Sequence, residues 1–406
     1  MLNLVIFNGG RGAAAVIPAL LAKQGLNVIS VVNAYDDGKS TGEIRKFFGM
    51  LGPSDIRKVQ ELMLPVDDPD HLASKHLFQY RFPPSCKRDE VITHLNRFVE
   101  GAQVELVGIT LGSANLHSAL RVFIREFLRS LNTIEQVNSQ RFNFADCSIM
   151  NCIYAGAFLV FDRNIELATR FIDRLFKLRG AVLPTNIEDK KLVALRENGQ
   201  MLYSESEIVE LRSNVRIDRI YLLDKLLDKS RFEFLSTEEK RYYLEKHHCY
   251  VGVSKGVKLA LQQADIIIYS AGTQHSSLYP TYMSAGLAQA IGDNKQAYKV
   301  FVTNIGADYE TPSYKASDFI RGAHRYLNLS DSRNYSMEEL FDVVLVNQSR
   351  FKLDDSYVEY DKSAFADIPV RSIVDNFESS VSLGKHDGTK LVQTILSLYE
   401  EATLLQ

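Results

Sequence analysis

Short apolar runs separated by glycine-rich turns open the chain. Leu2–Phe7 is the first run, Ala13–Lys23 has the composition of a helix, and Asn27–Val32 is a second, β-branched run. Strand, turn, helix and strand within about 30 residues make a βαβ unit, which pairs the two strands in parallel. The opening pattern therefore predicts an α/β protein built on a parallel sheet.

Further apolar runs predict the remaining elements. The predicted strands are Val104–Ile109, Tyr250–Val253, Ala264–Tyr269, Lys299–Thr303 and Asp342–Val346. Apolar residues recur at helical spacing from Leu116 to Leu131, which predicts a helix with one buried face. Ala155–Leu178 and Thr389–Glu400 are also predicted to be helical.

Two segments depart from the alternation of strands and helices. Residues 53–100 carry five prolines and many charges, and they are predicted to form a helical insertion with loops. Residues 183–245 are highly charged, with a turn signal at Asn198-Gly199, and are predicted to form a small β/α insertion. No internal repeat is visible, and a single α/β domain over 1–406 that contains these two insertions is expected.

Composition and charge exclude several classes of protein. The chain is 46% hydrophobic and 24% charged, with a net charge of −3, which argues against a partner bound through nucleic-acid phosphates. The most apolar later stretch, Cys147–Phe161, has 15 residues and is too short to span a bilayer. Four scattered cysteines fit a reducing cytoplasm better than a disulfide framework. A cytoplasmic protein without nucleic-acid or membrane partners is therefore expected.

The turn after the first strand matches a phosphate-binding pattern. Gly10 to Ala15 satisfies G-x-G-x-x-G/A between a strand and a helix, where glycine permits close approach and the helix start favours an anion. A tight turn that binds nothing is the alternative. A nicotinamide dinucleotide site is less favoured, because the second strand ends at Asn33 where an acidic residue is usual.

A second loop, Asp36-Asp37-Gly38-Lys39-Ser40-Thr41-Gly42, combines two carboxylates with a lysine and two hydroxyls. Adjacent carboxylates suit Mg²⁺, and the lysine, hydroxyls and glycine amides suit a second anionic group. An exposed turn with a solvated pair of charges is an equally good interpretation of this loop by itself.

Five collinear segments resemble the 2-phospho-L-lactate transferase (CofD) family, which also includes the gluconeogenesis-factor YvcK-like proteins. The similarity covers residues 4 to about 330. The segments are Gly9–Gly12, similar to GGGTG; Tyr35–Arg45, similar to ADDGGSSGRLR; Gly52–Arg57, similar to PPGDIRN; Ala264 through Gly272-Thr273 to Ile291, similar to a strand, a GPGS turn and a helix with GIxEAI; and Asn304 with Tyr314–Asp318, similar to N-L … Y-x-A-x-D.

The chain departs from the family pattern at four places. Arg11 stands where the family has threonine, Asn8 where it has glycine, and Lys58 where it has asparagine after Asp-Ile-Arg. The GPGS turn is replaced by Ser270 to Thr273. The chain is therefore identified as a divergent member whose ligand can differ from the best-known ones.

The resemblance implies a Rossmann-like, doubly wound sheet whose strand ends converge on one crevice. It implies a homodimer and a nucleotide-linked ligand of GDP or UDP type. The expected binding residues are Gly9, Gly10, Arg11, Gly12, Lys39, Ser40, Thr41, Asp55, Arg57, Gly272 and Thr273. Asp36 and Asp37 are expected as catalytic residues and Mg²⁺ ligands, with the two roles not separated. His117 and His275 follow strand ends and could also reach the crevice.

Two functions follow from the resemblance. The first is transfer of a phospholactyl-type group from a nucleotide diphosphate carrier to an alcohol with Mg²⁺, as a transferase of phosphorus-containing groups. The alternative is a non-catalytic regulator that binds a nucleotide sugar and acts on carbon metabolism or cell-wall synthesis. Both use the same anion sites, and only the first requires a catalytic base.

Overall fold

The computed structural model describes residues 1–9, 12–101, 105–138, 140–349 and 356–404, with the backbone alone at Lys39 and Asn138. The strands are β1 (Leu2–Asn8), β2 (Leu26–Val32), β3 (Glu105–Leu106), β4 (Ile109–Thr110), β5 (Ala181–Pro184), β6 (Lys191–Arg196), β7 (Met201–Leu202), β8 (Ile217–Leu223), β9 (Ile266–Tyr269), β10 (Tyr298–Val302), β11 (Val343–Asn347) and β12 (Arg371–Asp375).

The helices cover both faces of the sheet and fill the insertions. They are α1 (Ala13–Leu21), α2 (Lys39–Phe48), α3 (Ser54–Leu62), α4 (His71–Gln79), α5 (Arg88–Glu100), α6 (Ala114–Asn138), α7 (Ile149–Val160), α8 (Ile165–Leu175), α9 (Glu205–Glu210), α10 (Lys229–Phe232), α11 (Thr237–His247), α12 (Lys255–Gln262), α13 (Tyr279–Tyr282), α14 (Leu287–Asp293), α15 (Ala316–Leu327), α16 (Met337–Leu340), α17 (Lys362–Phe365) and α18 (Gly388–Leu404). A π-helical turn, Gln274–Leu278, precedes α13.

Seven parallel strands form the central sheet, in the order β12-β11-β10-β9-β1-β2-β5. Leu4, Val5 and Ile6 of β1 are fully buried, as expected for a strand whose two faces both carry helices. The predicted α/β class and the doubly wound, mainly parallel sheet are confirmed. Helices and a small antiparallel sheet are inserted along the chain between the strands of the central sheet.

The strand order reverses between β1 and β9. From β1 the chain builds outward through β2 and β5, and from β9 it builds in the other direction through β10, β11 and β12. Ligands of doubly wound sheets bind beyond the carboxyl ends of the strands at such a switch point. The turns that follow Asn8 and Tyr269 therefore lie side by side, and the amide of Ser270 donates to Phe7 O at 3.0 Å.

Three element predictions are wrong in part. The segment predicted as the strand Val104–Ile109 forms a short hairpin of β3 and β4 outside the central sheet. The chain reverses there because Val107 and Gly108 adopt positive φ. Val104 itself lies outside the described residues. The predicted helix Ala155–Leu178 is divided into α7 and α8, because Asp162 and Arg163 adopt φ of 51° and 61°. Tyr250–Val253 is a loop that touches a neighbour through a single bridge at Gly252.

The segment between β5 and β9 contributes a wall of the site. Its antiparallel sheet, in the order β7-β6-β8, has a small core that includes Val193, Tyr221 and Leu244. Helix α9 leaves this sheet and contacts the π-helical turn after β9. Leu183 and Pro184, at the predicted start of this insertion, belong to the central strand β5. The single-domain organisation stays a prediction.

Among the described residues, no helix is both long and apolar enough to cross a membrane.

Candidate functional site

A cleft of about 520 Å³ lies at the carboxyl ends of β1 and β9. Of the predicted site residues, six line it: Gly12, Asp36, Ser40, Thr41, Asp55 and Thr273. The structure thus brings together segments that are up to 261 residues apart in the chain. The backbone of Gly9 contributes to the turn below the cleft, and Gly10 and Arg11 lie outside the described residues.

Gly9 and Gly12, in the turn after β1, leave the space that the turn after β9 occupies. A Cβ on Gly9 would lie 2.8 Å from Ser277 Cβ, and a Cβ on Gly12 would overlap the carbonyl oxygen of Ala271. Gly12 has φ of −64°, so its requirement is for space and not for a special backbone conformation. The two turns of the switch point therefore pack directly against each other under the cleft.

Three helices begin at the cleft without a side-chain cap. Gly12, Gly38 and Pro53 are the N-cap residues of α1, α2 and α3, and none of them can offer a capping oxygen. Elsewhere Asn164 and Ser254 cap the starts of α8 and α12 with their side chains. Uncapped helix starts present backbone N–H groups and positive dipole ends, which favour an anion.

The starts of α2 and α3 carry hydroxyls and charges into the cleft. Ser40 and Thr41 are buried, and Ser40 Oγ accepts a hydrogen bond of 3.3 Å from Asn151 Nδ2. Asp55 at the start of α3 pairs with Lys58, one turn later, at 3.0 Å. The side chain of Lys39 lies outside what the structure describes.

The two adjacent carboxylates have different surroundings. Asp36 lines the cleft, and its Oδ1 accepts from the amide of Gly38 at 3.0 Å. Asp37 accepts from the amides of Ser206 at 2.9 Å and Glu205 at 3.3 Å, so its carboxylate caps the start of α9. Tertiary structure thus gives these two neighbours different positions, which the sequence could not do: Asp36 faces the cleft, and Asp37 holds the opposite wall.

A cation at this site would depend on few protein ligands. Within the described ranges, no group of three or more His, Cys, Asp or Glu residues is arranged to hold a metal ion. Mg²⁺ needs only one or two carboxylates where a substrate supplies phosphates. Asp36 fits that role, whereas Asp37 is already engaged by two amides.

Glu205 at the start of α9 is a cleft residue that the sequence did not indicate. It is buried beside three other carboxylates, and desolvation, then the charges of Asp36, Asp37 and Asp55, raises the pKa of Glu205 to about 9. Glu205 is thus protonated at neutral pH. The Ser204-x-x-Glu207 pattern predicts a helix start there, but nothing in it predicts contact with a loop 168 residues earlier.

Among the residues that the structure describes, the cations that line the cleft are Lys58 and Arg81, and the predicted Arg57 is not one of them. Arg57 is buried, donates from Nη1 to Phe78 O at 2.6 Å and links α3 to α4. Burial lowers the pKa of Arg57. Lys58, which departs from the family pattern, faces the cleft because it lies one position further round α3.

The turn after β9 is held by an asparagine of the fifth segment. Asn304 accepts from the amide of Gly272 at 3.0 Å and donates to its carbonyl at 3.0 Å. Thr273 Oγ1 donates to Ser277 Oγ at 2.9 Å. His275 is buried against Tyr279 and outside the cleft, and burial lowers its pKa to about 3.

His117 packs on Phe98, and neither of these residues lines the cleft.

A doubly wound parallel sheet with a polar cleft at its switch point places the chain in the Rossmann-like class of α/β folds. The chain belongs to the family described as 2-phospho-L-lactate transferase CofD, whose model matches residues 4–378. This confirms the family that the sequence segments indicated.

Curated relatives and solved structures agree with this assignment. The chain is 25% identical over 409 residues to "Gluconeogenesis factor" of Listeria monocytogenes, covering 99% of this chain and 97% of that protein. It is 24% identical to "Putative gluconeogenesis factor" of Thermotoga maritima, covering 97% and 98%. A crystal structure of a UPF0052 family protein from Bacillus halodurans matches with a TM-score of 0.66 at 19% identity, covering 98% of this chain and 100% of that one, which shows the shared fold.

Proposed function

We propose that this protein binds a nucleotide-diphosphate-linked small molecule of GDP or UDP type in the switch-point cleft. The observation that carries the proposal is the convergence of the uncapped starts of α1, α2 and α3 on one polar cavity. The phosphates lie at the starts of α2 and α3, where Lys58 and Arg81 add positive charge.

The opposite wall suits the uncharged part of such a ligand. Glu205, Ser276 and Glu210 line this side, and burial keeps Glu205 protonated. A neutral carboxyl and hydroxyls exchange hydrogen bonds with sugar hydroxyls without repelling them. The cleft therefore has one wall for anions and one for hydroxyl or N–H groups, as a nucleotide sugar requires.

The role of the bound ligand is regulatory in our proposal. The curated relatives are named gluconeogenesis factors, and one of the two carboxylates expected for catalysis, Asp37, caps α9. A binding protein needs the anion sites but no base, and the described contacts supply those sites. Regulation of carbon metabolism or cell-wall synthesis is the process that we propose for it.

Asp36 supports a second candidate function, a phospholactyl-type transferase. Its carboxylate faces the cleft, where it can bind Mg²⁺ together with a diphosphate, or accept the proton of an alcohol. In that reaction the alcohol oxygen bonds to the distal phosphorus, and the phosphoanhydride bond breaks to release a nucleoside monophosphate. When bound, Mg²⁺ would neutralise charge on the diphosphate.

Calorimetric titration with GDP, UDP and UDP-sugars, with and without Mg²⁺, tests the proposal. Gly12→Val should abolish binding, because its side chain displaces the second turn, and Lys58→Met should weaken binding in a salt-dependent way. Gly252→Val is the matched control, since a Cβ there meets nothing within 4 Å. Wild-type affinity in both cleft variants, or no binding of any of these compounds, would refute the proposal.

Phosphorus NMR of the same mixtures separates the two functions. Saturable binding with the diphosphate unchanged supports the regulator. Formation of a nucleoside monophosphate that requires an alcohol acceptor, and is lost in Asp36→Asn, supports the transferase.

A further inference from the structure

The second turn of the switch point already binds a carboxyl group from within the chain. The amides of His275 and Ser276 both donate to Glu310 Oε2 at 2.9 Å, and Ser276 Oγ donates to Glu310 Oε1 at 2.5 Å. Glu310 is 1% exposed, and burial, then the charge of Asp308, raises its pKa to about 8, while the hydrogen bonds from Ser276 and His275 act in the opposite direction. Its carboxyl group therefore binds amides of the helical turn that directly follows Gly272 and Thr273, the residues that the sequence assigns to a ligand.

The loop after β10 delivers this carboxylate. Strand β10 pairs with β9, so the loop that follows it passes directly over the turn after β9. Asp308 shapes the loop by accepting from the amide of Glu310 at 2.7 Å, and its carbonyl accepts from Thr311 at 3.1 Å. The side chain of Glu310 is thus fixed from both ends, by its own loop and by the turn that it fills.

We propose that the carboxyl group of Glu310 fills the second anion-binding turn and so acts as a positioning residue for the cleft. Two consequences follow from its hydrogen bonds. The turn after β9 is closed to phosphate, which leaves the starts of α2 and α3 for the anionic part of a ligand. Ser276 is orientated as a hydrogen-bond acceptor.

The orientation of Ser276 determines which ligand groups it can bind. Its hydroxyl proton is given to Glu310, so only oxygen lone pairs remain for the cleft that Ser276 lines. Such an oxygen accepts from a sugar hydroxyl or a nucleobase N–H and repels phosphate oxygens. This consequence rests on the proposed function, whereas the filling of the turn by Glu310 does not.

Chemical rescue tests the filling of the turn without any nucleotide. Glu310→Ala removes the atoms that acetate can supply, and it leaves the amides of His275 and Ser276 unsatisfied. We expect the variant to unfold at a lower temperature than wild type. Acetate should restore most of the loss, since it binds the folded state alone, and chloride at equal ionic strength should not.

Two comparisons exclude a general effect of acetate. Wild type should show no acetate-specific shift, because the turn is already filled. Glu310→Gln should show none either, because its amide occupies the same volume and leaves no room for the anion. If Glu310→Ala does not fold in buffer, its refolding yield from urea with and without acetate provides the same readout.

This experiment tests the role of Glu310 separately from nucleotide binding. The proposal is supported if Glu310→Ala unfolds at a lower temperature than wild type and acetate raises that temperature, while acetate does not raise the unfolding temperature of Glu310→Gln. A variant as stable as wild type, or a destabilised one that responds equally to acetate and chloride, overturns it. The nucleotide titrations can succeed or fail independently, because no nucleotide enters this measurement.

Discussion

The protonated Glu205 predicts a specific pH dependence of stability. Its pKa rises from 4.5 in the unfolded chain to about 9 in the fold, because the carboxyl is buried beside Asp36, Asp37 and Asp55. A carboxyl with a raised folded-state pKa contributes stability that is fully present below pH 4.5. That contribution is lost as the pH rises towards about 9, because folding must take up a proton.

The size of this pH dependence follows from the uptake of one proton by each molecule that folds. Between the two pKa values the free energy of unfolding falls by about 1.4 kcal/mol for each pH unit through this group alone. From pH 6 to pH 8, Glu205 therefore destabilises the fold by about 2.7 kcal/mol. Glutamine has the same shape as the protonated acid and no proton to lose, so Glu205→Gln removes this dependence.

Urea unfolding of wild type and Glu205→Gln at pH 6 and pH 8, in EDTA, measures the effect. The stability of the variant relative to wild type should increase by about 2.7 kcal/mol between the two pH values. Glu210→Gln, an exposed position further along the same helix, should change stability by less than about 0.5 kcal/mol at either pH. A constant difference between Glu205→Gln and wild type would show that Glu205 is ionised in the fold, and it would refute the reasoning.

Two further variants test how the walls of the cleft are held. Asp37→Ala removes two hydrogen bonds to the start of α9, so it should lower the free energy of unfolding by about 0.5–2 kcal/mol and should also weaken ligand binding. Asp228→Ala, which removes the cap of α10, should change stability alone. Urea unfolding and calorimetric titration measure the two effects. Arg45→Met should lower the free energy of unfolding by about 3–5 kcal/mol, because the buried guanidinium binds Tyr35 O and Asp189. Arg129→Met, at an exposed position, should leave the free energy of unfolding almost unchanged in the same assay. Equal losses in the two variants would contradict the inferred role of Arg45.

Most of the sheet was predictable because its strands are continuous apolar runs. Such runs are expected where helices cover both faces of a strand, and β1, β2, β9, β10 and β11 all have this character. The predictions were wrong where one or two residues with positive φ changed the path of the chain, as at Val107 and at Asp162. A positive φ at a residue other than glycine has no reliable signature in a single sequence.

The site was predictable at the residues that follow β1 and β2, and less so elsewhere. Asp36, Ser40 and Thr41, which the loop pattern assigned to a ligand site, lie together in the cleft because a parallel sheet brings its strand ends to one edge; their binding role stays a prediction. Arg57 and Lys58 are adjacent in sequence, yet only Lys58 faces the cleft. Which of two neighbours on a helix faces a cavity depends on how that helix packs.

The sequence by itself determined the first turn, the helix starts and the family, because each of these depends on residues that are close together in the chain. Tertiary structure alone decided the roles of Asp37, Glu205 and Glu310. Asp37 reaches Ser206 across 169 residues, and Glu310 reaches Ser276 across 34. These contacts are formed by the order of strands in the sheet, which no local pattern contains, and they determine which amides at the switch point are already bound within the chain.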